Sequence, residues 1–343
     1  MPWGENMGVR LALIGCGAAA NKYYLPVLKD NPEICRDLYL VDRDIDTARK
    51  AADSVGAVHC FNDFRKAIGN VDGAIVAVPH HLHYSIATEF LRAKCHVLCE
   101  KPLAEKASEV SEMAAEALRH GVQLCVHNRR RLFPSFVAVK NLMAEKRIGE
   151  PISINYLEAG KFGWESRTDF YINPLVSDKG VLLDLGAHVM DLVCWWLDAK
   201  PELIRCEDDS YGGPESLVHV KARERDCSIQ IVLNRLINLE SRFVIRCTGG
   251  QIEGTLADWR GVSVIDNAGR IQRVESGSGF KTHDDMARRV VENFLQVVRG
   301  FEAPLVPGRE VIRSIEFIEE CYRQRRRLPM PWDERFSGVE NAK

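Results

Sequence analysis

The chain has 343 residues, 46% of them hydrophobic and 27% charged, with a formal net charge of -2. At roughly 100 to 200 residues per domain this length predicts two domains, and so small a net charge gives no general attraction for nucleic acid or an anionic membrane. Met1 to Val9 lack the apolar stretch of a signal peptide, and the densest apolar run, Leu192 to Leu197, is too short to span a bilayer; both predict a cytoplasmic protein that acts on small molecules.

From Val9 to Val126 short apolar runs alternate with helical periodicity, the pattern of repeated βαβ units around a parallel sheet. The predicted strands are Val9–Ile14, Leu38–Val41, Ala74–Val78, His96–Cys99 and Val122–Val126. Val110, Met113, Ala114, Ala117 and Leu118 recur at helical spacing, which predicts a helix from about Glu105 that Gly121 stops. After Val126 the rhythm changes to alternation at Ile152, Ile154 and Tyr156, then at Ser216–Ala222, Ser228–Asn234 and Arg242–Thr248. This predicts a mostly antiparallel sheet, with helices at Leu183–Leu197, Asp285–Arg299 and Arg309–Arg326. The eleven cysteines, among them Cys16, Cys125, Cys194 and Cys247, sit mostly in apolar segments and are expected to be reduced.

The first strand runs into Gly15-Cys16-Gly17-Ala18-Ala19-Ala20, a Gly-x-Gly-x-x-Gly/Ala turn. The first glycine permits the turn, the second lets a pyrophosphate approach the backbone, and the small residue at Ala20 lets helix and strand pack closely. Asp42 ends the second strand, where an acid accepts hydrogen bonds from an adenosine ribose. Together these predict dinucleotide binding. Asp42 favours NAD, while the adjacent Arg43 leaves NADP possible.

No tyrosine is followed by Lys four residues later, which argues against short-chain dehydrogenase chemistry. His80, His81 and His83 with Cys95, His96 and Cys99 lie on a loop and a strand whose alternate residues face apart, so no metal is expected. Glu100-Lys101-Pro102 follows an apolar strand and so lies at the carboxyl edge of the sheet, and Asp184 and His188 are four apart at a helix start. A Lys, an Asp and a His converging there suffice to couple hydride transfer to proton transfer.

These features, with Val78-Pro79, His83 and Val97-Leu98-Cys99-Glu100-Lys101-Pro102-Leu103, resemble the glucose–fructose oxidoreductase / inositol 2-dehydrogenase (Gfo/Idh/MocA) family over nearly the whole chain. The resemblance implies an α/β fold: an N-terminal Rossmann domain, residues 1–126, then an α+β domain, residues 127–343, on an open-faced sheet used for homodimer or homotetramer contact. It implies that His188 is the general acid/base, that Lys101 bonds the reacting oxygen and that Asp184 binds a neighbouring hydroxyl. Val78, Pro79, His83, Glu100 and Lys101 then border the cofactor. One departure stands out: Ser177-Asp178-Lys179-Gly180 replaces the usual glycine run.

Candidate substrate contacts are Arg129, Lys161, Trp164, Tyr171 and His283, and an arginine of the 129–131 run facing the cleft would suit a phosphorylated or nucleotide-linked sugar. Asp191, Trp195 and Trp196 read as packing residues, and Arg323 to Arg327 as a helix C-terminus. The expected reaction interconverts a secondary alcohol and a ketone on a sugar, sugar derivative or cyclitol. The alternatives are redox-neutral glycoside cleavage, with Tyr171 as a second base, and a cofactor-sensing regulatory protein.

Overall fold

The computed structural model describes residues 8–33, 35–163, 177–210, 213–277 and 279–329. Six strands, β1 (Val9–Ile14), β2 (Cys35–Val41), β3 (His59–Phe61), β4 (Gly73–Val76), β5 (His96–Glu100) and β6 (Leu124–His127), form one parallel sheet in the order β3-β2-β1-β4-β5-β6. β4 and, beyond Arg10, β1 are apolar on both faces because helices cover both. The strand order reverses between β1 and β4, and the carboxyl ends at such a reversal form the crevice where sheets of this kind bind ligands.

The covering helices are α1 (Leu25–Asp30), α2 (Ile45–Val55), α3 (His83–Arg92) and α4 (Ala107–His120). α2 starts where the Asp44 carboxylate accepts from the Asp46 N–H at 3.2 Å, an N-cap bond. In α4 the stripe of Val110, Met113 and Ala117 is buried, but Leu118 is 85% exposed, because that position has turned past the edge of the packed face. Gly121 ends the helix, as expected.

The chain then builds a second layer from α5 (Pro134–Ala144), β7 (Pro151–Ala159), α6 (Val181–Asp184), α7 (Gly186–Leu197), β8 (Glu202–Asp208), β9 (Leu217–Glu224), β10 (Cys227–Asn234), β11 (Arg242–Cys247), β12 (Gly250–Thr255), β13 (Gly261–Asp266) and β14 (Ile271–Glu275). α8 (His283–Val298), α9 (Ile312–Gln324) and the short β15 (Arg326–Arg327) complete the described chain. The second sheet runs β14-β13-β12-β11-β7-β10-β9-β8-β15. It is mixed but mostly antiparallel: β7–β10 and β8–β15 are its parallel pairs among the described residues.

One face packs on α5, α7 and α9 around Phe136, Tyr156, Trp196 and Phe243. Trp196 is a packing residue, its indole N–H donating to the Phe136 carbonyl at 3.1 Å. On β9, Val218, Val220 and Ala222 face this core while His219, Lys221 and Arg223 face outward.

α8 returns to the first sheet, where Phe294 and Val298 pack in one cluster with Leu11 and Leu13. Burying one such side chain stabilises the fold by about 1.5–3 kcal/mol, so this late helix fastens the two layers together. The arginine-rich end of α9 is more than a decorated terminus. Arg325 reaches Asp208 at 3.4 Å and Glu215 at 3.7 Å, and Arg326–Arg327 add a strand beside β8. All eleven cysteines are free thiols. Among the described residues no helix is long and apolar enough to cross a membrane.

Candidate active site

The turn after β1 is fixed by its neighbours. Gly15 has φ +93°, and a Cβ there would lie 2.4 Å from the Ala77 carbonyl oxygen at the end of β4. No other residue fits. Gly17 is different: nothing lies within 4 Å of where its Cβ would be, which leaves the open approach that a pyrophosphate needs. The helical segment starting at Ala18 aims its first N–H groups there, with Ala18 and Ala19 partly exposed and Ala20 packed inside.

The Asp42 carboxylate accepts from the Cys16 N–H at 2.9 Å and the Asp44 N–H at 3.0 Å. These two bonds hold it rigidly beside the loop, with lone pairs left for ribose hydroxyls. Arg43 is exposed next to it. These residues fit a dinucleotide. Gly15→Ala is expected to lower thermal stability and abolish NADH binding, because the added methyl meets backbone that cannot yield; a melting curve and a fluorescence titration check it.

Beyond the loop the site is built from strand ends. Glu100 closes β5 beside His127 on β6, its register partner. The Glu100 carboxylate accepts from the Tyr24 hydroxyl at 2.7 Å and faces His127 Nδ1 at 3.1 Å. Burial opposes its charge, but His127, Tyr24 and Lys101 outweigh burial and hold it down to about 2. Glu100 is therefore a fixed anion at the floor of the crevice.

His83, expected to border the cofactor, is instead buried, 1% exposed. Its ring nitrogens lie 2.7 Å from the Pro102 carbonyl and 2.8 Å from that of Val78. Burial pushes its pKa down to about 4, so the ring is neutral and its single N–H donates to one of the two carbonyls while the other ring nitrogen rests against the second. It ties the Val78-Pro79 turn, whose residues are partly exposed, to the Glu-Lys-Pro segment.

Lys101 leaves β5 and reaches the second layer. Its Nζ donates to the Asp184 carboxylate at 2.8 Å and to the Asp184 carbonyl at 3.0 Å. An ammonium has three donors, and the third has no partner among the described residues. Arg235, from the end of β10, donates to the other Asp184 oxygen at 2.8 Å. Burial alone would raise the Asp184 carboxyl, but Lys101 and Arg235 together drive it well below the usual carboxylate range.

The expected single helix over Leu183–Leu197 is broken at Leu185, so Asp184 ends α6 and His188 lies in the first turn of α7. Gly186 follows the break, a residue that costs about 1 kcal/mol relative to alanine inside a helix. α6 is held by Glu215, whose carboxylate accepts from the Gly180 and Leu182 N–H groups at 3.0 and 2.9 Å. Gly180 is required because a Cβ there would meet the Glu215 backbone oxygen at 2.1 Å.

His188 is partly exposed, with Nδ1 3.0 Å from Asn128 Oδ1. Burial first, then Arg130, Lys101 and Arg129, depress its pKa well below the ordinary histidine value, so the imidazole is neutral.

A cleft of about 210 Å³ opens beside Asp184, walled by His80, Phe162, Lys179, Glu215 and Arg235. Lys179, the departure from the glycine run, pairs with Glu105, which also meets His80 at 3.1 Å. The arginines of the 129–131 turn diverge. Arg129 lies over the Tyr23 ring at 5.3 Å and points toward the His283 carbonyl, 3.5 Å away. Arg130 grips Glu158 with two bonds of 2.5 Å.

Arg131 is buried against Asp191, which removes it as a substrate contact. His283 packs edge-on to Phe133 and Trp259, and Lys161 is exposed, its backbone N–H bonded to Asn238. Trp164 and Tyr171 lie outside the described residues. Asn128, Arg235 and Glu215 are site-forming residues that motif reading passes over, and Asp191, read there as a packing residue, joins them.

Residues 9–128 match the oxidoreductase family model with an NAD-binding Rossmann fold, and residues 136–253 match that family's C-terminal domain model. The chain belongs to the Gfo/Idh/MocA oxidoreductase family. It is 24% identical over 301 residues to inositol 2-dehydrogenase 1 of Saccharopolyspora erythraea, covering 84% of this chain and 83% of that protein.

An uncharacterised oxidoreductase of Schizosaccharomyces pombe is 26% identical over 188 residues, and there the chain spans 50% of the relative's length. Among solved structures, WlbA dehydrogenase from Chromobacterium violaceum, in complex with NADH and UDP-GlcNAcA, superposes with a TM-score of 0.78 at 22% identity. That superposition covers 94% of this chain and 95% of the other, and it shows the fold.

Proposed function

We propose that this family member is an NAD-linked dehydrogenase that interconverts a secondary alcohol and a ketone on a sugar, sugar derivative or cyclitol. One observation carries the reading: Lys101 is clamped by Asp184 with one N–H left over among the described residues, and a neutral, partly exposed His188 lies close enough for the Lys101 charge to act on it. The bound nicotinamide supplies the hydride acceptor or donor.

The chain's own residues handle the oxygen and its proton. In oxidation, His188 Nε2 takes the hydroxyl proton, and the spare Lys101 N–H bonds the same oxygen as negative charge grows on it. Asp184, ionised by its two cations, accepts from a neighbouring hydroxyl and so fixes which carbon faces the hydride acceptor. In reduction the same groups act in reverse. A relative named as an inositol 2-dehydrogenase and a structural neighbour in complex with UDP-GlcNAcA support a polyhydroxylated substrate. Asp42 supports NAD over NADP, since a 2′-phosphate would meet its charge. The outward face of the second sheet, with His219, Lys221 and Arg223, is the surface we propose for self-association.

The test is a titration with NADH and NADPH, followed by sugars, cyclitols, phosphosugars and nucleotide sugars with the tighter cofactor. Reduced nicotinamide absorbance should change with a member of one class. Tight cofactor binding with no change on any of them would overturn the dehydrogenase reading.

A further inference from the structure

Behind His188 lies a buried polar chain that motif reading leaves without a task. Asn128 is 1% exposed; its Nδ2 donates to Asp191 Oδ2 at 2.7 Å, and its Oδ1 lies 3.0 Å from His188 Nδ1. Asp191 is itself 1% exposed and accepts from Arg131 Nε at 2.8 Å and Arg131 Nη2 at 2.7 Å, while Arg131 Nη1 donates to Glu310 at 2.5 Å.

The donor and acceptor inventory fixes the direction of every bond. Asp191, gripped by a guanidinium, is ionised and only accepts. The amide must therefore turn its NH2 toward Asp191 and its oxygen toward His188. An oxygen facing Nδ1 requires a proton on Nδ1, and a neutral ring then carries its lone pair on Nε2.

We propose that Asn128 is a positioning residue that sets the tautomer of His188, presenting the Nε2 lone pair to the cleft and making that nitrogen the one route for the proton in and out. The inference deepens the dehydrogenase reading and rests on it for its catalytic meaning. An amide, unlike the carboxylate behind the histidine of a Ser-His-Asp triad, does not stabilise an imidazolium by charge.

The charged and titratable groups around the ring are Arg130 and Arg129 from the turn after β6, Lys101 from the end of β5 and His127 on β6. Asp184 is neutralised by Lys101 and Arg235, and Glu158 by Arg130. The surroundings favour the neutral ring. A proton taken in oxidation must therefore leave again through Nε2, to water or to the next reactant.

Nitrogen-15 NMR of histidine-labelled full-length protein with NADH bound reads the tautomer directly, with the signal assigned by its loss in His188→Gln. A protonated Nδ1 and a bare Nε2 at neutral pH are expected, with mixed tautomers in Asn128→Ala; a proton on Nε2 in the parent would overturn the inference. This readout needs no substrate, so an enzyme that turns over no alcohol yet shows the expected tautomer loses the functional reading and keeps this one.

In kinetics, Asn128→Ala should lose about 10- to 100-fold in kcat with NADH affinity kept, less than the roughly 10²–10⁴-fold that a whole general base supplies. The exchange variant Asn128→Asp/Asp191→Asn keeps an amide–carboxylate bond between the two positions and the Arg131 Nη2 bond, gives up the Arg131 Nε bond, and moves the charge next to the ring. It should recover most of kcat and shift the acid limb of the oxidation pH profile upward by about 1 unit or more, as an adjacent opposite charge does. An unchanged kcat in Asn128→Ala, or a parental pH profile in the exchange variant, refutes the assignment. If Asn128→Ala fails to fold, the exchange variant carries the kinetic test.

Discussion

His188→Ala and Lys101→Met should each leave NADH binding near the parent's and cut kcat for alcohol oxidation by about 10²–10⁴-fold and about 10²–10³-fold. The two losses have different causes. His188 is the neutral, partly exposed imidazole whose second nitrogen has no partner among the described residues and can take a proton. Lys101 has two of its three donors held by Asp184, so its remaining N–H is aimed without rotational freedom. A donor held in place needs no reorganisation when charge appears on the substrate oxygen, which is why its removal should fall on kcat.

The pH profile separates the roles further. Oxidation needs His188 neutral, so activity is present above its folded pKa and is lost as pH falls through it. Because that pKa is depressed, the acid limb of kcat/KM should lie below about 6.5, the ordinary histidine value. Stopped-flow and steady-state rates from acid to neutral pH check both statements; an acid limb above the ordinary value would remove His188 as a neutral base.

What the sequence made legible was local. Gly15, Gly17 and Asp42 lie in a contiguous strand-turn-helix-strand unit, where backbone sterics and strand ends dictate residue type, and the structure holds them at the crevice. The same holds for the alternation on β9 and β10. By contrast, Asn128 and Asp191 are 63 residues apart, and no periodicity announces that they meet.

The three arginines at 129–131 read as one run with a member facing the cleft, yet each finds its own partner, because a tight turn points successive side chains in different directions. His83 carried a motif's signal without its chemistry, its ring being turned inward onto two carbonyls. Strands β12 to β14 escaped notice for another reason. They carry glycines or lie exposed at the sheet edge, so their apolar pattern is thin.

The second large effect is on stability. Arg131→Met should destabilise the protein by about 3–5 kcal/mol, the cost of leaving a buried carboxylate without its cation, and urea unfolding midpoints measure it. The Asp191 side chain is 1% exposed, and Arg131 supplies two of its bonds, so water has no route to replace them. Glu310, the other partner, is 44% exposed and resolvates, so the penalty falls on Asp191.

Removing both members, Arg131→Met with Asp191→Leu, should restore much of the lost stability, since an apolar pair leaves no buried charge. It should not restore turnover. With Asp191 gone, the Asn128 amide loses the anion that orients it, and nothing then compels its oxygen toward His188. A double variant that is stable, binds NADH and remains slow would separate the two tasks of this buried network: the cation keeps the buried anion from destabilising the fold, and that anion, acting through one amide, keeps the histidine in its working form.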